Sequence, residues 1–322
     1  MRGDVPHSQV AAFLVGLRLQ EKDADPAIVA ACARALQSHA RLIPYDNHRH
    51  IQDDIVDIVG TGGDGHNTYN VSTTSALVAA GAGAKVAKHG NRAASSKSGS
   101  ADLMEANGCA ISLVKPEQVA SIIHKTNFCF LFSQTYHPAM KNVASLRKEI
   151  GIPTVFNLLG PMSNPAKPKR VVVGVHSPQI GALMANALKL TGVQSALVVC
   201  GQEKLDEISP AGETNYWRVH EDGQVTTGVL HPTRDFGLKT HSLDQVKGGD
   251  CHENAEILDQ LLNNKLPLDN PILDFVLLNS SALLVVSGLA SDFKQGVQLA
   301  RESIASGKAK AVLESFRQAI HA

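Results

Sequence analysis

No stretch of this chain is apolar for long enough to span a bilayer, and its beginning, MRGDVPHSQVAAFLVGLRLQEKDAD, lacks the flanked apolar core of a secretory signal. Cysteine is scarce as well. The five cysteines (Cys32, Cys109, Cys129, Cys200 and Cys251) are odd in number, scattered and free of any C-x-x-C pair. That argues against a disulfide framework and against a structural zinc site, and favours reduced thiols in a cytoplasmic protein. Neither sign of charge dominates: 30 Lys plus Arg face 30 Asp plus Glu, so no global field favours nucleic acid or a membrane surface. Any anion site must therefore be local. Glycine and proline contents are ordinary, and no repeat or low-complexity tract is visible. Aromatic residues are only 4% of the 322, but hydrophobic residues reach 43%, ample for a large α/β core with or without a small companion domain.

What is present begins with two amphipathic stretches. HSQVAAFLVGLRLQ places Val10, Phe13, Leu14 and Leu17 at helical spacing, and DPAIVAACARALQSHA repeats the pattern with Pro26 suited to a first helical turn. A small helical domain over 1–46 is expected, with further segments from the 135–150 region, followed by an α/β domain over 47–322. The connector RLIPYDNHRHIQDD carries an H-x-H, His48 and His50, read here as a solvated loop rather than a metal site. From Asp54 onward the apolar runs DIVDIVG, KVAKHG, CAISLV, FCFLFS, RVVVGVH and SALVVCG alternate with helical stretches. This texture predicts an α/β fold with a mostly parallel central sheet flanked by helices. NYWRVHEDGQVTTGVL, with Asp222-Gly223 at its centre, reads as an antiparallel hairpin or insertion, and the chain is helical after GGDCHENAEILDQLLNN.

Three segments carry chemistry. In DIVGTGGDGHNTYNVSTTSA a strand runs into Gly60, Gly62, Gly63 and Gly65, and Asp64, Thr68, Asn70, Ser72 and Thr73 follow before a helix. Glycines bring backbone N–H groups close to an oxyanion and a helix start adds partial positive charge; a capped strand-to-helix turn needs far fewer such residues. In KVAKHGNRAASSKSGS, Lys88 to Asn91 follows the next strand and emerges on the same carboxyl edge of a parallel sheet, where open α/β sheets bind ligands. Lys88 and Arg92, with Ser95, Ser96 and Ser100, can complete a phosphate cradle. In CGQEKLDEISPAG, the pair Asp206-Glu207 lies just after a core strand, and adjacent carboxylates near a polyphosphate suit Mg²⁺. Arg147, on a helix, is either a surface salt-bridge former or a bidentate grip on a substrate carboxylate; spacing alone does not choose.

Taken together, GTGGD, NTYNVST, KHGNRAASS, HPAMK, FNLLGPMSNPA and LDEIS resemble the nucleoside-phosphorylase-like (type IV) phosphoribosyltransferase family, in its anthranilate-using branch. The resemblance covers nearly the whole chain. It implies transfer of a phosphoribosyl group from phosphoribosyl pyrophosphate (PRPP) to anthranilate in tryptophan biosynthesis, releasing pyrophosphate. It assigns PRPP contacts to Gly60, Gly63, Asp64, Thr68, Asn70, Val71, Ser72 and Thr73. Further PRPP contacts fall on Lys88, His89, Gly90, Asn91, Arg92, Ala93, Ala94, Ser95, Ser96 and Ser100. Ser72, Asp206 and Glu207 match ligands of Mg²⁺, two ions in all. Gly60, Asn91 and Arg147 match anthranilate contacts, with His89, His137 and Pro161 as lining residues, and no dedicated general base is implied.

The family also implies a homodimer through the helical part. It usually has about two more helices ahead of SQVAAFLVGLR, so a weakened or altered dimer is the expectation here. Two rivals share the architecture. A pyrimidine nucleoside phosphorylase needs a different Lys/Ser phosphate signature, and a nucleic-acid-binding paralogue needs a basic groove and degraded motifs. Neither is evident in this sequence.

Overall fold

Apolar residues spaced three and four apart make α1 (His7–Leu19). The Asp25 carboxylate, accepting from the Ala27 amide at 2.8 Å, and Pro26 in the first turn then start α2 (Pro26–Gln37). The computed structural model describes residues 3–46, 48–93 and 96–321; Ala94 and Ser95 of the basic segment lie outside the described residues. A connector containing the short helix α3 (Arg49–Gln52) delivers the chain to the sheet.

The strands are β1 (Ile55–Gly60), β2 (Lys85–Gly90), β3 (Phe128–Phe132), β4 (Arg170–Gly174), β5 (Ser195–Gly201), β6 (Thr214–Val219) and β7 (Val225–Leu230). They form one sheet in the order β3-β2-β1-β4-β5-β6-β7, parallel through β5 and antiparallel across β6 and β7. The expected hairpin is thus present, as an extension of the sheet. One apolar run departs from expectation. CAISLV forms a 3₁₀ turn over Ile111–Leu113 instead of a strand, burying Cys109, Ile111 and Val114 while Leu113 stays exposed. It packs as a cap against β3 and the helix over Ser100–Ala106, without the alternation or double-sided cover of a strand.

Between the strands run α4 (Val71–Gly81), α5 (Ser100–Ala106), α6 (Pro116–Thr126), α7 (Ser133–Tyr136), α8 (Lys141–Ile150), α9 (Phe156–Leu159) and α10 (Pro178–Leu190). After the hairpin come α11 (Pro232–Phe236), α12 (Cys251–Leu262), α13 (Pro271–Ser287), α14 (Phe293–Ala305) and α15 (Lys308–Ala319). One apolar core packs α4, α13 and α14 beneath one side of the sheet. A second joins Leu14, Val29, Ala33 and Leu36 of α1 and α2 to α10 and to β4 and β5. Covered on both faces, β5 is buried along its whole length. Among the described residues no helix is long and apolar enough to cross a membrane.

This strand order positions the site. From β1 the chain moves outward to β2 and β3, then returns across β1 to β4. Successive connections therefore leave β1 in opposite directions, opening a crevice at the carboxyl ends of β1 and β4, the place where sheets of this kind bind ligands.

Candidate active site

Gly60 and Gly174 are register partners at the carboxyl ends of β1 and β4. Asp206 rests directly on them. A Cβ added at Gly174 would overlap the main-chain oxygen of Asp206, and one added at Gly60 would overlap its carboxylate. The two glycines thus form a seat for the turn that follows β5. Gly62, Gly63 and Gly65 all adopt positive φ (69°, 77° or 80°), so the loop after β1 folds back in a conformation that side chains disfavour. Its Gly62 amide donates to Asp206 Oδ2 at 2.7 Å, and the Asp206 amide lies 3.4 Å from Asp64 Oδ2.

The loop is held from far along the chain. Thr68 bridges Lys247, the Asn67 side-chain amide donates to the Gly248 carbonyl at 2.9 Å, and the Asn254 amide donates to Asn70 Oδ1 at 2.8 Å. Asn70 also donates to the Ser98 carbonyl at 2.9 Å, tying the glycine loop to the basic segment. Because Asn70 gives α4 no side-chain cap, the first-turn N–H groups at Ser72 and Thr73 keep their positive character, while that of Val71 donates to the Tyr69 carbonyl. Thr73 is fully buried with its hydroxyl unpartnered, while Ser72 is half-buried.

Lys88 and His89 do not follow the strand, as the sequence suggested; both lie inside β2 and are buried. Burial pulls the Lys88 ammonium below its ordinary range, and the carboxylates of Asp57, Glu207 and Asp206 oppose that pull. Asp57 escaped the sequence reading. Fully buried on β1, it accepts from the Asn164 side chain at 2.8 Å and the His89 amide at 3.3 Å, and burial pushes its pKa up to about 6. The available signal was an acid inside the apolar run DIVDIVG.

Glu207 is buried and Asp206 partly so, and desolvation raises both pKa values; Asp64 adds to the rise at Asp206, and Asp206 to that at Glu207. Asp57, Asp206 and Glu207 thus act electrostatically on one buried ammonium. Acid groups this desolvated are short of positive charge, and oxygen donors of that kind suit a hard divalent cation.

The rest of the basic segment wraps around α5. Asn91 and Ser100 bond reciprocally, the Asn91 amide to Ser100 Oγ and Ser100 Oγ to the Asn91 carbonyl, each at 3.1 Å. Gly90 lets Ser100 and Phe130 approach where a Cβ would collide. The Ala93 amide donates to Asp102 at 2.9 Å, and Ser96 Oγ donates to the Ser98 carbonyl at 3.3 Å. Arg92 is engaged by Glu105 at 2.5 and 2.8 Å and by Asp102 at 3.2 Å, stacked on Phe132, so in this structure its guanidinium faces protein acids.

His89 and His137 pack edge to face, 5.3 Å apart, and both are buried. Burial, then His137 and Lys88, pull His89 down to about 3; burial alone also lowers His137. Both imidazoles are neutral at pH 7. Pro161 is buried in the 3₁₀ turn Gly160–Met162 that follows α9.

Arg147 is partly buried rather than a surface ion-pair former. At the end of α8 it makes no ion pair among the described residues; its guanidinium stacks on Phe156, 5.3 Å from the ring centre. It lines a cleft of 490 Å³ with Ala144, Lys148, Gly151, Ile152, Pro153, Thr154 and Asn157. Partial burial pulls its pKa below the ordinary arginine value, as expected of a cation lacking a counter-ion.

The fold and this crevice define a class first: residues 52–310 match the glycosyl transferase family, a/b domain. More narrowly, the chain belongs to the anthranilate phosphoribosyltransferase family. It is 45% identical to the anthranilate phosphoribosyltransferase of Schizosaccharomyces pombe over 98% of this chain and 88% of that protein. Among solved structures it superposes with a TM-score of 0.89 on the Saccharomyces cerevisiae enzyme in complex with PRPP and Mg, at 37% identity over 98% of this chain and 85% of that one. The Thermus thermophilus enzyme gives the same TM-score at 42% identity, covering 99% and 92% of the two chains.

Proposed function

We propose that this protein transfers the phosphoribosyl group of PRPP to the amine of anthranilate, giving N-(5-phosphoribosyl)anthranilate and pyrophosphate, in tryptophan biosynthesis in the cytoplasm. The observation that carries the reading is the crevice between β1 and β4. There a triple left-handed glycine loop, an uncapped helix start and buried Lys88 face a cluster of desolvated carboxylates. That combination suits a magnesium-bound polyphosphate. The S. cerevisiae complexes with PRPP and Mg and with 4-fluoroanthranilate, the latter at a TM-score of 0.87, support the same substrate classes.

Ser72, Asp206 and Glu207 would hold Mg²⁺, two ions in all, with Asp64 orienting Asp206. When bound, Mg²⁺ neutralises charge on the departing pyrophosphate. The remaining work falls to the chain itself. Amides of the glycine loop and of the α4 start orient the phosphates, and Lys88 supplies fixed positive charge. The Arg147 guanidinium grips the anthranilate carboxylate in a planar fork, with Asn91 and Gly60 completing the acceptor side. The arylamine is neutral and already nucleophilic at pH 7, so alignment replaces a general base. Neutral His89 and His137 line the acceptor site without adding charge. Displacement with inversion through an oxocarbenium-like state follows, with no covalent enzyme intermediate.

The family's homodimer is also proposed here. Phe13, 60% exposed, together with Val10 and Leu14 borders an apolar groove between α1, α2 and α8, and this face supports the reading. The test of function is the fluorescence of phosphoribosyl-anthranilate formed from PRPP and anthranilate, with and without Mg²⁺. Magnesium-dependent product formation is expected. Phosphorolysis of thymidine or uridine in its place would overturn the assignment.

A further inference from the structure

At the opposite edge of the sheet, three imidazoles converge. His48 caps the start of α3, His50 lies within it, and His124 stands near the end of α6. The three rings lie 5.0, 5.5 and 6.2 Å apart, and one ligand nitrogen from each falls within 4.8 Å of the others. His48 Nδ1 is buried and has no hydrogen-bond partner, although an imidazole nitrogen shielded from water ordinarily acquires one. We propose that His48, His50 and His124 form a binding site for a single transition-metal ion of the zinc class, separate from the catalytic crevice.

The chemistry favours such an ion. Three nitrogen donors suit zinc, nickel or copper and are poor ligands for magnesium, which takes oxygen. In a tetrahedral zinc site the ligand nitrogens sit about 3.3 Å apart. Closure from the observed separation needs small ring rotations. His50 and His124 are exposed and free to make them, with solvent filling the fourth position.

The charges facing the cluster are known. Lys85 and Lys125 lie nearby, and Lys85 is occupied by the Asn127 side chain at 2.5 Å.

Position says what the ion would do. His50 precedes β1 and His124 precedes β3, so the cluster marks the amino edge of a parallel sheet whose ligand crevice is at the carboxyl edge. A bound ion would pin the connector from the N-terminal helices to α6. Its role is a cross-link rather than catalysis.

Metal-free protein in excess Mg²⁺ is titrated with Zn²⁺ by calorimetry, and with Co²⁺ by visible absorbance. One equivalent should bind, and binding should weaken by at least roughly tenfold in His50→Ala and in His124→Ala, while Glu207→Gln matches the parent. Zn²⁺ should raise the unfolding temperature of the parent but not of the two histidine variants. Zinc binding that is absent, unchanged in both histidine variants, or abolished by Glu207→Gln would overturn the site. Both variants alter exposed side chains, and their unfolding temperatures without metal check that they fold.

Discussion

Replacing Gly174 by alanine is the sharpest probe of the Asp206 seat. Restoring van der Waals separation would require the Asp206 main chain to withdraw by on the order of 1.5 Å. Little can yield. Gly174 lies on the central strand β4, its carbonyl accepts from the Thr61 amide at 2.9 Å, and β1 and β5 flank it on either side. Overpacking of this kind costs about 1–3 kcal/mol, and a rigid backbone on both sides places this case at the upper end. Displacement of a catalytic group by about 1 Å costs roughly 10²-fold in rate. Gly174→Ala should therefore lose about 3 kcal/mol of stability and about 10²-fold in activity together. Gly60→Ala differs in kind, because its new methyl meets only the Asp206 carboxylate, which can swing aside. That variant should keep its stability within about 1 kcal/mol yet lose activity as the carboxylate leaves the Gly62 amide. Urea unfolding and the phosphoribosyl-anthranilate assay across a Mg²⁺ titration separate the two effects. A Gly174→Ala protein with parental midpoint and rate would refute the seat. So would equal destabilisation by both substitutions.

Other outcomes follow from the same geometry. Glu207→Gln should abolish most Mg²⁺-dependent turnover with the fold intact, and a parental response to Mg²⁺ would sink the ligand assignment. Arg147→Ala should raise the KM for anthranilate and leave that for PRPP nearly unaltered; an equal loss for both, or a fall in melting temperature alone, would return Arg147 to a structural role. His89 resists protonation in the fold, so the unfolded chain gains protons first as pH falls below 6.5 and stability is lost in that direction. Relative to His89→Gln, the parent should lose about 2 kcal/mol between pH 7 and pH 5 in urea titrations; Asp57, whose raised pKa acts with the opposite sign, is present in both and cancels. A pH-independent difference would contradict the burial argument. Sedimentation across a concentration series should reveal a dimer, and a monomer at every concentration would refute the apolar groove beside Phe13 as its interface.

The sequence was legible where burial is two-sided. Runs such as SALVVCG and RVVVGVH become parallel strands because both faces are covered, and their glycine ends mark the carboxyl edge. CAISLV misleads because a short apolar run can also cap a helix and a neighbouring strand, and only the third dimension separates the two uses. Within the site, the glycine loop and the Asp-Glu pair were readable as local chemistry. The role of Gly174 was not, since its reason is a backbone more than thirty residues later in the chain. Asp57 and Asn164 stayed hidden for the same cause: a buried polar pair is recognisable only once both partners are placed. Arg92 shows the converse, a cation readable as a phosphate ligand that Glu105 and Asp102 hold in the fold.

The clasp on the glycine loop bears on when this protein becomes competent. Thr68, Asn67 and Asn70 take their partners from Lys247, Gly248 and Asn254, nearly two hundred positions later. During synthesis the first strand and its loop leave the ribosome long before those partners exist. Until they arrive, the loop's left-handed turns have only the Asp206 and Ser98 ties to hold them, and the ensemble of conformations it samples stays wider. A nascent or truncated chain ending ahead of Lys247 would carry the glycines, Lys88 and the Asp206-Glu207 pair, yet present them unassembled. Affinity for a phosphorylated sugar therefore arrives late, as a property of the finished chain, and a partly made copy does not compete for substrate.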